Sequence, residues 1–209
     1  MSILIHKFFY NLFWLIAKPI FTFFFRLEVE SQEDLKKLKG PLIIAANHLA
    51  WVDPFLIGIN FPFLSKIFPI RYACWHKYFY SPRLFILVWI FGGFPVKRKI
   101  GIEESLKDAV KILENKGSVG IFPEGKRRRG GRPRRGRKGI AYLSLKTKTK
   151  ILPIKIEAKM NMTAAKFFLR HYKVKVKIGK TFSLPFQEKN KSQNLNKAAD
   201  LIMEKIRGL

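Results

Sequence analysis

Only one of the 209 residues is a cysteine, Cys74, which excludes an internal disulfide framework and a cysteine-based zinc set, and fits a reducing compartment. Acids are scarce too. Against 41 Lys and Arg stand 14 Asp and Glu, and the formal charge of +27 implies a polyanionic partner, whether nucleic acid, an anionic membrane or a phosphate-bearing substrate. There is no G-x-S-x-G turn of the kind that presents a nucleophilic serine, and no internal repeat. No apolar run reaches the about 20 residues that a bilayer crossing needs. The richest stretch, residues 1–27, is interrupted by Lys18 and Pro19. It also makes a poor secretory signal, because no small-residue cleavage site follows it and Arg26 sits near its end.

What is present points to a folded chain of one domain's length, with a hydrophobic fraction of 48%. Residues 1–27 are dense in Phe, Trp and Tyr, and at helical spacing Lys7, Asn11, Lys18 and Thr22 form one narrow polar stripe. That pattern predicts a pair of helices, broken at Pro19, lying in the headgroup boundary of a membrane with the lysines reaching phosphates. The plainer alternative is an aromatic-rich helix packed on the protein's own core. Beyond it, residues 28–209 alternate short apolar runs with helical patterns. Strands are predicted at 42–46, 70–74, 118–122, 151–156 and 173–178, and helices near 54–60, 82–91, 102–115, 137–146 and 194–207. The alternation predicts an α/β fold, a layered, mainly parallel or mixed sheet flanked by helices, with its ligand site at strand ends.

Chemistry gathers at three such ends. In A-A-N-H-L-A-W-V-D-P-F, residues 45–55, a predicted strand empties into a turn holding His48 and Asp53. A carboxylate accepting one ring N–H would fix the tautomer and leave the other nitrogen free to take a proton near neutral pH. With no serine in view, the hydroxyl has to come from a substrate, and Cys74 has no visible reason to act as a nucleophile. Asp53 before Pro54 is equally compatible with a helix cap, and His48 with a satisfied strand-end residue. Residues 92–98, G-G-F-P-V-K-R, end in Lys97 and Arg98, a pair suited to a phosphate monoester. Residues 122–127, F-P-E-G-K-R, place Glu124 among cations; solvated turns are the alternative for both. Gly120 to Lys126 nearly spells a Walker loop, but Arg127 replaces the magnesium-binding Ser or Thr, and Pro123 removes an N–H the cradle needs.

Together these pieces resemble the lysophosphatidic acid acyltransferase family of glycerolipid enzymes. N-H-L-A-W-V-D is similar to its N-H-x4-D block, G-G-F-P-V-K-R to its arginine-ending second block, F-P-E-G-K-R to its F-P-E-G-T-R, and I-L-P-I-K-I to its proline-containing fourth, all in the family's order. The resemblance implies that His48 is a general base on an acceptor hydroxyl, Asp53 its orienting partner, and Arg98 with Arg127 a clamp on a glycerol phosphate, Lys97 standing beside it. Glu124 and Gly125 would belong to the acceptor site, and Lys126 stands where the family has threonine. Acyl transfer would be direct, from an acyl-acyl carrier protein or acyl-coenzyme A donor to lysophosphatidic acid, giving phosphatidic acid, with no metal and no bound cofactor. Another lysophospholipid or a lyso-aminolipid is the alternative acceptor.

An enzyme of this kind would sit, peripheral or monotopic, on the cytoplasmic face of an anionic phospholipid membrane. The basic run 126–138 would then press on headgroups, or be a solvated flap. R-G-G-R-P-R-R-G-R within that run has the ingredients of arginine-glycine nucleic-acid segments, although Gly131 interrupts the AT-hook order. A nucleic-acid binder would explain the charge but neither the aromatic N-terminus nor the ordered blocks, so nucleic acid is not expected as a partner.

Overall fold

The computed structural model describes residues 3–82, 85–97, 100–127, 135–158, 173–185 and 192–209. In chain order the elements are α1 (Ile3–Phe24), β1 (Glu28–Ser31), β2 (Ile43–Ala46), α2 (Asp53–Gly58), β3 (Ile70–Trp75), α3 (His76–Phe79), α4 (Phe85–Ile90), β4 (Phe94–Val96), α5 (Ile102–Glu114), β5 (Ser118–Ile121), α6 (Lys138–Thr147), β6 (Ile151–Ala158), β7 (Val174–Ile178) and α7 (Ser192–Arg207). The strands form one sheet of seven in the order β1-β7-β6-β2-β5-β3-β4. Every neighbouring pair is parallel except β6 and β7. The expected α/β mixed sheet is therefore the fold.

Two hydrophobic layers explain why the central strands read as unbroken apolar runs rather than alternations. Ile44 and Ala46 of β2, with Ile70, Leu152, Ile154 and Ile156, face the side covered by α1 and α2. Ile43, Ala45, Val119 and Ile151 face α5, α6 and α7. Helix α5 turns Leu106, Ala109, Ile112 and Leu113 inward at helical spacing, and Glu103 and Glu104 in its first turn complement the positive end of the helix dipole. Toward the β1 edge one face is wet: in β7 Val174, Val176 and Ile178 are buried, while Lys175 pairs with Glu30 and Lys177 with Glu157. That is the meaning of the strict K-V-K-V-K-I alternation.

All five expected strands are present within a residue or two of their predicted ends. Two others carry no apolar signal that could announce them. β1 is E-V-E-S, exposed throughout at the sheet edge, and β4 is three residues long and contains Pro95. Edge strands need only one partner and tolerate such composition.

At the N-terminus the expectation is corrected. α1 is a single helix that runs through Pro19 rather than a pair broken there. Pro19 removes one backbone hydrogen bond, but Tyr10, Phe13, Trp14, Ala17 and Phe21, on both sides of it, pack on the same core, and Pro19 itself is exposed. Tyr10 donates its hydroxyl to Ile70 O (3.2 Å), Trp14 Nε1 donates to Phe61 O (2.9 Å), and His6 Nδ1 meets Ile90 O (2.8 Å). The polar stripe is partly absorbed as well, since the Leu64 N–H donates to Asn11 Oδ1 (3.1 Å) and Lys18 is half-buried, which lowers its pKa by desolvation. The opposite face is apolar and uncovered: Leu4 is 70% exposed and Phe8 62%, and Leu12, Leu15, Ile16 and Phe23 continue the surface. Among the described residues no helix is long and apolar enough to cross a membrane.

Candidate active site

β2 ends because Asn47 takes over its ladder. The Asn47 side chain donates through Nδ2 to Ile156 O (2.8 Å), and Oδ1 accepts from the Ile156 N–H (2.7 Å). The carboxamide thus replaces one step of β2–β6 pairing and frees the main chain to turn, so the next residue, His48, leaves at the C-terminal edge of the sheet. Asn47→Ala would strand a buried N–H and a buried C=O on β6. It is expected to lower unfolding stability by about 2–4 kcal/mol in urea denaturation.

Asp53 opens α2, but it does not cap it. The cap position is Val52, which makes no side-chain cap bond, and the carboxylate turns back into the loop. Its Oδ2 accepts the Leu49 N–H (2.6 Å), the Ala50 N–H (2.8 Å) and His48 Nδ1 (2.7 Å). An ionised carboxylate only accepts, so the ring nitrogen that faces it is the donor, and Nε2 is the nitrogen turned away from the acid. The acid is buried, with a side-chain exposure of 1%, and the imidazole is open at 18%. Of the two readings left by the sequence, the tautomer-fixing one is the geometry found.

β5, the neighbour of β2, ends in the third block. Phe122 lays its ring flat on His48, with centroids 4.0 Å apart and planes inclined by 14°. The turn that follows is closed by the Gly125 N–H donating to Phe122 O (2.9 Å) and is tied to the start of α6 by the Arg137 N–H donating to Pro123 O (2.8 Å). Gly125 has φ +67°, a left-handed conformation that favours glycine, and the Arg137 side chain lies over the space a Cβ would take. Glu124 is buried. Arg127 comes back over the His48 loop and stacks its guanidinium on Trp51, 4.4 Å from the ring centroid. His48, Asp53, Glu124, Gly125 and Arg127 therefore converge on two adjacent strand ends.

Lys97 follows β4, three strands along the same edge, about 14 Å away by strand spacing, with its side chain exposed. Arg98 lies outside the described residues, as do 128–134 of the basic run and His171. Within the remainder of that run, Arg135 Nη2 donates to Asp200 Oδ2 (3.2 Å).

A family model described as Acyltransferase matches residues 26–157, more than half of the chain, and these residues contain all four blocks. The chain belongs to the acyltransferase family. It is 32% identical over 131 residues to a 1-acyl-sn-glycerol-3-phosphate acyltransferase of Borreliella burgdorferi, covering 62% of this chain and 50% of that protein. It is 28% identical over 166 residues to the chloroplastic 1-acyl-sn-glycerol-3-phosphate acyltransferase LPAT1 of Arabidopsis thaliana, covering 75% of this chain and 44% of that one. The chain thus spans about half the length of these curated relatives. In fold it is similar to the crystal structure of the 1-acyl-sn-glycerophosphate (LPA) acyltransferase PlsC from Thermotoga maritima, with a TM-score of 0.62 at 17% identity over 96% of this chain and 79% of the other.

Within this family member the sequence missed the ring stacked on the histidine, Phe122, and two further aromatics of the same cluster, Trp51 under Arg127 and Tyr72 behind Phe122. Phe122 reads as the end of an apolar strand, Trp51 as a loop aromatic and Tyr72 as a strand residue, and no pattern of spacing joins them. Only the β2–β5–β3 adjacency does. Cys74 behaves as expected of a bystander: half-buried, its thiol is pushed up to about 11 by desolvation and stays protonated.

Proposed function

We infer that the protein transfers a fatty acyl chain from an acyl thioester to the free hydroxyl of lysophosphatidic acid, forming phosphatidic acid for phospholipid biosynthesis. The observation that carries this reading is the His48 imidazole, with Nδ1 bound by buried Asp53 and Nε2 without a hydrogen-bond partner among the described residues, at the sheet edge beside the turn that holds Arg127. Nε2 takes the acceptor's hydroxyl proton as that oxygen attacks the thioester carbonyl. The tetrahedral intermediate then collapses, expelling the thiolate, and the imidazolium returns its proton to the sulfur. Asp53 holds the imidazolium throughout by charge. Nothing in the cycle requires an enzyme nucleophile, a metal or a bound cofactor; the donor, acyl-acyl carrier protein or acyl-coenzyme A, is a second substrate. Arg98 and Arg127, with Lys97, hold the glycerol phosphate, and Glu124 and Gly125 shape the acceptor site. The relatives named above, whose names carry this activity, support the acceptor.

Residues 1–27 form the membrane-binding segment in this reading, and 28–209 the acyltransferase domain. Acceptor and product remain in the bilayer, and the outward face of α1, with Leu4, Phe8, Leu12, Leu15, Ile16 and Phe23, suits the interface of an anionic membrane on its cytoplasmic face. Deleting 1–27 is a poor test, because Tyr10, Ala17 and Phe25 belong to the domain core. Leu15→Glu combined with Ile16→Glu touches only the outer face. It is expected to lower co-sedimentation with anionic liposomes by about tenfold or more with an unchanged thermal midpoint. Undiminished binding would move the anchoring to another surface.

The activity itself is tested by incubating the protein with lysophosphatidate and each of the two thioesters and identifying the lipid product. A panel of other lysophospholipids and lyso-aminolipids follows. Phosphatidate is the expected product. A strong preference for phosphate-free acceptors would remove the roles of Arg98 and Arg127.

A further inference from the structure

Behind Phe122 stands a second ring. Tyr72 on β3 faces Gly120 on β5 in register, and its ring occupies the space a side chain at 120 would need. It lies nearly parallel to Phe122, with centroids 5.8 Å apart and planes inclined by 20°, so Tyr72, Phe122 and His48 form a continuous stack. The Tyr72 hydroxyl is buried and finds no hydrogen-bond partner among the described residues. Asp53 of α2 and Tyr10 of α1 act on it electrostatically, and the Tyr10 hydroxyl is already committed to Ile70 O. Burial first, then these two neighbours, hold the Tyr72 phenol protonated far above its ordinary range. It is therefore an O–H dipole, free to rotate about its C–O bond, in the field of the carboxylate that orients the base.

Stability does not explain that hydroxyl. The ring fills the gap over Gly120 as well without it, and a buried hydroxyl lacking a partner is unfavourable relative to phenylalanine. We propose that Tyr72 is a positioning residue for the His48–Asp53 pair: its ring backs the stack that fixes the imidazole plane, and its O–H dipole offsets part of the Asp53 charge that the imidazole feels. The hydroxyl is walled off from solvent and touches no substrate, so it acts only through Asp53 and His48. The inference rests on the acyl-transfer reading for its kinetic consequence, but not for its electrostatic one.

Tyr72→Phe keeps the ring and removes the dipole. More of the carboxylate's negative charge then reaches the imidazole, and the protonated form is favoured. The acid limb of the kcat/KM profile moves up with it. Turnover at neutral pH is expected to fall about two- to threefold, as a larger fraction of the imidazole is protonated, while KM for lysophosphatidate and for the thioester stays put and the thermal midpoint stays the same or rises. Titrating the His48 imidazole by NMR in both proteins reads the same effect without any assay. An unmoved His48 titration would overturn the proposal, as would a loss of turnover that tracks a loss of thermal stability. Wild-type protein that forms no phosphatidate would instead refute the function proposed above and leave the NMR comparison to decide on Tyr72.

Discussion

Replacing His48 with alanine is expected to lower turnover by about 10²- to 10⁴-fold, leaving fold and liposome binding intact. The size of the effect follows from the proton. The acceptor hydroxyl is a weak nucleophile at neutral pH, and in the proposed mechanism the fixed Nε2 removes its proton as the new bond forms. The small structural effect follows from the contacts. Without the imidazole, Asp53 Oδ2 still accepts the Leu49 and Ala50 N–H groups, so no buried charge is left bare. What is lost is the Nδ1 bond to Asp53 and the stack on Phe122, each worth about 0.5–1.5 kcal/mol. Steady-state rates with lysophosphatidate and an acyl thioester, a thermal melt and liposome co-sedimentation check the three parts separately. A variant that kept most of its activity would mean that another group deprotonates the acceptor.

The parts of this site that the sequence displays are those with a local cause. His48 and Asp53 are five residues apart and meet within one loop, so their spacing alone contains the contact. The central strands are legible because burial on both faces demands unbroken apolar runs, and α5 and α7 because one stripe of each must meet the sheet. What is hidden depends on which strands end side by side. Lys97 and Arg127 stand in comparable blocks, yet strand order puts Arg127 on Trp51 beside the histidine and Lys97 three strands off. Tyr72 gives no sign of its place, because it owes that place to the missing side chain of Gly120 on another strand. α1 misleads for a further reason. A helix apolar on two opposite faces looks the same in sequence whether it packs on protein, on lipid or on both, and the inner face here is taken by the core.

Asp53→Asn separates the two tasks of the carboxylate and should move the pH profile the opposite way to Tyr72→Phe. In the wild type one oxygen serves three donors, two from the backbone and one from the imidazole. An asparagine oxygen can keep the backbone pair, so the loop should hold and stability change little. Asp53→Ala, by contrast, strands both N–H groups; as they are only part-buried, it should lower stability by about 2 kcal/mol, within the range for lost acceptors. The imidazole fares worse in both. An asparagine NH₂ in the place of Oδ2 would meet both backbone N–H groups as well as Nδ1, so the oxygen takes that place. The tautomer then survives, but the imidazolium loses its counter-charge. Turnover should fall by about 10²- to 10⁴-fold, the scale on which an orienting carboxylate acts in a Ser-His-Asp triad. With the negative charge gone, the protonated imidazole is less favoured, so the acid limb of residual activity moves to lower pH. An Asp53→Asn enzyme with wild-type turnover, or one whose acid limb rises, would show that the carboxylate merely braces the loop and that the imidazole works without its charge.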